Sequence, residues 1–166
     1  DPLMDVVEVE HLGRNKSVEY LTDYHFKYHG FGEALVDGYR GTTDYKGQLW
    51  QGWEGSDAEV VLDLGKEQSV KEIQVGVLVN QSAWIFSPAN VEILVSKDGE
   101  NFTSVFVEKL DALTSSVSQV ETIGSEFSPQ KVKFVKVIAK KIDGLPEWHS
   151  GKGSSAWIFL DEVIVK

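Results

Sequence analysis

From Ala58 onward the chain alternates between apolar and polar positions. Val60, Leu62 and Leu64 fall on one side of an extended segment, and Glu59, Val61 and Asp63 on the other. Ile73, Val75, Val77 and Val79 repeat the pattern across Val70 to Val79, and Val91, Ile93 and Val95 continue it. A period of two filled by β-branched residues marks a strand, because successive side chains leave opposite faces. Lys97-Asp98-Gly99-Glu100-Asn101 predicts a hairpin turn in which Asp-Gly supplies the positive φ. Phe102 to Leu110, Val117 to Ile123, Val132 to Lys140 and Trp157 to Val165 are further strands. In the third of these, Val132 and Phe134 share a face before Val135, Val137 and Ala139 take over, which predicts a bulge. No long segment repeats at helical spacing. The expectation is an all-β sandwich or jelly roll, with under about a tenth of its residues in helix.

Residues 1–56 follow no clean period and are rich in Gly, Tyr, His and Trp. An edge strand over Pro2 and Asp5 to Glu10 and a short helix within Tyr20 to His29 are expected there. Without an internal linker, residues 1–166 read as one domain, with 1–33 an N-terminal extension packed on the sandwich. The opening Asp1-Pro2-Leu3-Met4 lacks a basic start followed by an apolar run, and a fragment or processed chain is expected. The loops Asn80 to Pro88 and Asp143 to Ser155 hold more aromatic and polar residues than a plain connection needs.

Charge narrows the partners. A formal net charge of -10 repels phosphate backbones and anionic lipid, so neither nucleic acid nor a membrane surface is expected. A neutral ligand or a divalent cation fits better. With 0 Cys, disulfides, thiolate zinc sites and cysteine nucleophiles are excluded. No Ser sits in a Gly-x-Ser-x-Gly elbow, and Gly151-Lys152-Gly153-Ser154-Ser155 lacks the spacing of a phosphate loop. No catalytic residues are assigned.

Glu33 to Thr43 is the most informative stretch. Its glycines and its Asp37-Gly38 pair force a tight loop, and Asp37, Thr42 and Thr43 supply oxygen. Inward carbonyls, a carboxylate and a hydroxyl suit a hard cation such as calcium; a solvated turn with an Asx hydrogen bond is the plainer reading. Glu162 shares the parity of Ile158, Leu160 and Ile164, and an acid in an apolar column needs a partner or a metal unless it is exposed. The opposite face is equally apolar, so either side suits the core. His25 and His29 are spaced for one helix face with Glu33 beyond them, a zinc pattern, but Gly30 and Gly32 break the helix and aromatic packing is as natural.

Ala34-Leu35-Val36-Asp37-Gly38, Leu49-Trp50-Gln51-Gly52-Trp53, Ala58 to Gly65, Ser96-Lys97-Asp98-Gly99 with Phe102, and Leu160-Asp161-Glu162-Val163 together resemble a discoidin (coagulation factor V/VIII type C) domain. Within that family the chain is similar to carbohydrate-binding modules of family 32. It looks most like those at the C-termini of Bacteroides family 20 β-hexosaminidases, the chitobiases. The resemblance implies an eight-stranded jelly roll with a structural calcium, held by Ala34, Asp37, Tyr39, Thr42, Asp161 and Glu162. It further implies a non-catalytic module, attached to a glycoside hydrolase in a secreted, periplasmic or cell-surface protein. Its ligand would be a glycan ending in a hexose or N-acetylhexosamine.

Galactose-binding members carry a His after the loop Trp and an Arg in a later loop. This chain has Gln51 and the run Asn80-Gln81-Ser82-Ala83-Trp84 instead. Aromatic rings stack on pyranose faces and amides bond to hydroxyls. Trp53, Trp84 and Trp148 are therefore candidate platforms, and Gln51, Asn80, Gln81 and His149 candidate hydrogen-bonding groups. Trp50 and Trp157 are assigned mainly to the core, while Trp84 and Trp148 suit core or surface equally. An adhesion module with a protein partner is the alternative. Sequons at Asn15, Asn80 and Asn101 matter only in a eukaryotic secretory host.

Overall fold

The computed structural model describes residues 6–111 and 117–166. It is all-β: seven strands and four single 3-10 turns, with no α-helix among the described residues. The strands are β1 (Ser17–Tyr20), β2 (Gln51–Glu54), β3 (Ala58–Asn80), β4 (Asn90–Ser96), β5 (Thr103–Lys109), β6 (Ser118–Lys140) and β7 (Trp157–Val165). Pro2 and Asp5 of the expected edge strand lie outside the described residues. Glu8 forms only an isolated bridge to Tyr39. The short helix expected near Tyr20 to His29 is the single turn Phe26–Tyr28. Residues 17–20 pair with β3, so part of the expected extension is a member of the sheet.

All pairings are antiparallel, in the order β2-β7-β3-β6-β4-β5 with β1 added on β3. β3 and β6 are each 23 residues long and form one bent ribbon. Its Ala58–Asp63 part pairs with β1 and with the end of β6, which in turn carries β4. Its later part, around Ile73 to Val77, carries β7. The ribbon thus belongs to two layers, and the main core lies between them. That core joins Val60, Leu62 and Leu64 from the first part to Val75 and Val77 from the second.

Seven strands stand among the described residues rather than eight, because segments that read as separate strands, Ala58 to Gly65 and Val70 to Val79 among them, run on as one strand across the bend. The parity slip near Val132 is real. Asp63 faces Phe134 and Gln68 faces Val132, so the partner strand carries extra residues at the bend.

β7 is apolar on both sides because both sides are covered: Ile158 through Val165 are all buried. It also contains a bulge. Val75 faces Val163 but Val77 faces Leu160, so one residue more stands on β7 than on β3. Core-facing parity therefore runs Ile158, Leu160, then Val163 and Val165. Asp161 and Glu162 occupy the bulge, directly across from Gly76.

A Cβ at Gly76 would collide with the Asp161 carboxylate and approach the Arg40 guanidinium. Gly76→Ala should cost at least about 3 kcal/mol, combining overpacking with disruption of a buried ion pair. Urea unfolding of the two proteins measures this; equal midpoints contradict the packing.

Candidate functional site

Two places concentrate chemistry: the acids of the β7 bulge and the rim beyond the ends of β3 and β7.

At the bulge, Asp161 and Glu162 are both fully buried. Asp161 accepts from Arg40 Nε at 2.8 Å and from the Gly41 amide at 2.7 Å. The Arg40 guanidinium also donates to Thr122 Oγ1 at 3.0 Å. Glu162 Oε2 accepts from the Gly38 amide at 2.8 Å and is bonded to His11 Nε2 at 2.6 Å. Gly38 has φ of 85°, the left-handed conformation that aims its amide at the acid. Burial, aided by Arg14 and Lys166, lowers His11 to about 4, so the ring is neutral at pH 7. Its Nδ1 accepts from the Gly13 amide, which leaves the proton on Nε2 to donate to Glu162.

Glu162 Oε1 is buried and finds no donor other than a proton shared with the Asp37 carboxyl beside it. Burial and the neighbouring Asp37 carboxyl push Glu162 up to about 10, and burial also raises Asp37. Two carboxyls together with an orphaned oxygen suit a cation or a shared proton.

The expected calcium set is altered in one respect. The Asp161 side chain is not available as a ligand, because Arg40 and the Gly41 amide already engage it. Thr42 keeps its carbonyl within the same loop, where it accepts from Trp50 Nε1. Ala34 is buried in the turn Ala34–Val36, and Tyr39 is half-exposed beside Glu8. Among the described residues no three His, Asp or Glu groups converge as a metal cage, so carbonyls would have to complete a site built on Asp37 and Glu162. His25 and His29 each start a 3-10 turn and accept the amide two residues on, so they form no zinc pair.

At the rim, Trp84 has φ of 67°, a conformation rare for a bulky side chain. Neighbouring backbone bonds hold it there. Its amide donates to Gln81 O at 3.1 Å and its carbonyl accepts from Trp157 N at 2.8 Å, while Asn80 and Ile85 exchange a pair of bonds. The ring is 38% exposed and forms one wall of an open groove of about 350 Å³. Tyr28, Tyr45, Ser82, Trp157 and Phe159 line the rest. Phe159 reaches the groove across Gly52, where any side chain would meet its ring. Leu78, Ile85 and Trp50 pack with Phe159 beneath.

The proposed platform and hydrogen-bonding residues divide. Trp84 and Trp148 are exposed, and Asn80 is half-buried with Oδ1 accepting from Ser82 Oγ at 3.0 Å. Trp148, 41% exposed, does not line the groove; it packs on Phe86 and on His149, and His149 in turn meets Trp84 edge-on.

Four expected contacts are internal instead. Trp53 is 0% exposed, in the main core against Tyr20 and Tyr24, with Nε1 donating to Thr22 O. Gln51 is buried between Tyr20, whose hydroxyl donates to its Oε1 at 2.9 Å, and His29 O, which accepts from its Nε2 at 3.0 Å. Gln81 is buried, and its Oε1 accepts from the Val117 amide. His149 is buried as a pin between two loops: Nδ1 accepts from the Gly151 amide, and Nε2 donates to Gln81 O at 2.6 Å. Residues inside the protein present no face to a ligand, so these four hold the fold together instead. Sequence reasoning missed Tyr28, Tyr45 and Ser82. Tyr28 and Tyr45 sit in the aperiodic first third, where their abundance was the only signal.

A family model for the F5/8 type C domain matches residues 15–160. Among solved structures, chitosan-binding module 1 from a chitosanase/glucanase of Paenibacillus sp. IK-5 is 16% identical, with a TM-score of 0.57, covering 95% of this chain and 98% of that one. The lectin domain of lectinolysin, complexed with Lewis B antigen, is 19% identical with a TM-score of 0.57, over 96% and 98% of the two chains. A family 32 module from Clostridium perfringens, in complex with GalNAc-β-1,3-galactose, is 17% identical with a TM-score of 0.58, over 94% and 99%. No curated protein sequence matches the chain.

The Tyr20–Gln51 clamp makes a pH prediction. Burial pushes the Tyr20 hydroxyl up to about 12. A folded value above the unfolded value of about 10 means its contribution is complete below pH 10 and is lost as pH rises through about 12. Tyr20→Phe should flatten that alkaline fall in stability. At neutral pH it should cost about 1–3 kcal/mol, because Gln51 Oε1 loses its donor. Chemical denaturation across pH measures both effects.

Proposed function

Because the chain belongs to the F5/8 type C domain family, we propose that it is a non-catalytic carbohydrate-binding module whose rim groove takes the end of a glycan. The observation that carries this is the Trp84 ring, held by a constrained backbone at the wall of an open aromatic groove. Rings supply stacking faces for a pyranose, while the Tyr28, Tyr45 and Ser82 hydroxyls and Asn80 supply donors and acceptors. The net charge of -10 favours a neutral sugar over an anionic one. The similar structures are a chitosan-binding module, a lectin domain complexed with Lewis B antigen and a family 32 module in complex with GalNAc-β-1,3-galactose. A terminal hexose or N-acetylhexosamine is the ligand class proposed for this chain.

An open groove and a single sugar give few contacts, so affinity should lie near the millimolar end, about -4 kcal/mol. Tethering makes such binding useful by raising local concentration on a polymer. We place the module in a secreted, periplasmic or cell-surface protein, joined to a glycoside hydrolase such as a β-hexosaminidase.

A structural calcium belongs to the same reading. Asp37 and Glu162 would hold it through their side chains, with carbonyls of Ala34 and Tyr39 and an oxygen of Thr42 completing the shell. The buried orphan at Glu162 Oε1 beside Asp37 supports the assignment. The charge of the ion would offset the repulsion between the two acids and join the 37–43 loop to β7.

Trp84→Ala should abolish glycan binding on an array while leaving the melting temperature within about 2 °C of the parent, since the residue lies outside the buried clusters. If no glycan binds the parent protein at any concentration, adhesion to a protein partner replaces this reading. Calcium at about 100 times its dissociation constant should stabilise the fold by about 2.7 kcal/mol, and Asp37→Asn should erase that gain. Thermal melts with calcium and with a chelator measure it, and identical curves for both proteins would exclude the ion.

A further inference from the structure

We propose that Phe26, His25 and Glu54 form a second sugar subsite beside the groove, so that the module reads an oligosaccharide of at least two units rather than one terminal sugar. This rests on the glycan-binding reading above. Phe26 is 82% exposed and starts the 3-10 turn Phe26–Tyr28. Its ring stacks on that of His25, with centroids 4.6 Å apart and planes inclined by 25°. His25 in turn meets Trp157 edge-on at 5.1 Å, and Trp157 is a wall of the groove. The exposed ring is therefore one residue removed from the groove, on a continuous aromatic surface.

A lone exposed Phe needs no explanation. Here a polar pair stands beside it. The His25 amide donates to Gly52 O at 2.7 Å, which fixes the residue to β2. His25 Nδ1 accepts from the Lys27 amide at 3.1 Å, so Nε2 carries the ring proton. That nitrogen lies 3.8 Å from Glu54 Oε2, too far for a direct hydrogen bond. Glu54 pairs in register with Trp157 across β2 and β7, which places the residue at the groove edge.

A hydroxyl entering this gap would accept from His25 Nε2 and donate to Glu54. The Phe26 ring beside it offers a flat apolar face to the C–H side of the same pyranose. A stacking face next to one donor and one acceptor matches the two surfaces of a sugar, and no anionic group is needed. A purely apolar contact with a protein or lipid would leave the His25–Glu54 pair without a role.

The test is isothermal titration of the intact chain with galactose, fucose, N-acetylglucosamine and N-acetylgalactosamine. Each is offered alone and as the end of a trisaccharide. The parent should bind its best trisaccharide at least about tenfold more tightly than the matching monosaccharide, the size of one good aromatic contact. Phe26→Ala and Glu54→Ala should each reduce the trisaccharide to near monosaccharide affinity. They should leave monosaccharide affinity and melting temperature unchanged, because both side chains are exposed and outside the groove. Trp84→Ala should remove binding of both ligands. If the trisaccharide gain is absent, or survives both substitutions, the subsite is overturned while the groove stands. If the parent binds no saccharide, the functional reading falls with it.

Discussion

Two acidic side chains buried side by side in a bulge of β7 constrain the rest of the molecule. Unpaired, each would cost several kcal/mol, so the chain must bring donors to them. Arg40 and the Gly41 amide reach Asp161, while His11 and the Gly38 amide reach Glu162. These donors come from segments before β2. Satisfying the acids therefore fastens the irregular first third of the chain to a buried strand near its end. The same strand carries Trp157 and Phe159 to the groove, and its pairing with β2 fixes Glu54 beside them. The rim therefore shares a strand with the polar arrangement in the middle of β7.

The tryptophans show how the fold separates structural rings from available ones. Trp50 and Trp53 are buried, and each satisfies its indole N–H on a loop carbonyl, Thr42 O and Thr22 O respectively. A buried indole without such a partner would be penalised, so these rings also tie loops to strands. Trp84 and Trp148 stand on loops and keep substantial exposure. Between them His149, buried and bonded at both ring nitrogens, holds their loops together. The polar groups nearest the rim are thus largely committed to shape, while Tyr28 and Tyr45 line the groove itself.

The strands were legible because alternation encodes a half-buried surface directly. Val60, Leu62 and Leu64 or Val75 and Val77 need no tertiary knowledge to be placed inside. β7 defeated that logic, since both of its faces are covered and alternation carries no information there. Its bulge was hidden for the same reason: Ile158 to Leu160 and Val163 to Val165 are apolar on both faces, so the shift of parity across Asp161 and Glu162 does not show in the pattern. The bend of the β3–β6 ribbon was visible only as a slip at Val132 and Phe134. Site residues were harder, because their environments depend on partners distant in sequence. Gln51 is an internal clamp only because Tyr20 and His29 O meet it, and Gln81 only because Val117 and His149 do. Asp37 and Glu162 were readable as a pair through the family resemblance, but the competing claim of Arg40 on Asp161 was not.

The fixed backbone of Trp84 bears on the kinetics of association. A platform held in one orientation before contact loses little conformational entropy when a partner arrives, so encounter is not slowed by ordering of the loop. The groove is open, and few atoms must separate for release. Weak binding of this kind has short residence times, since affinity differences among related complexes lie mostly in the off-rate. A rigid shallow rim therefore favours frequent sampling of a repetitive surface over long arrest at any one point.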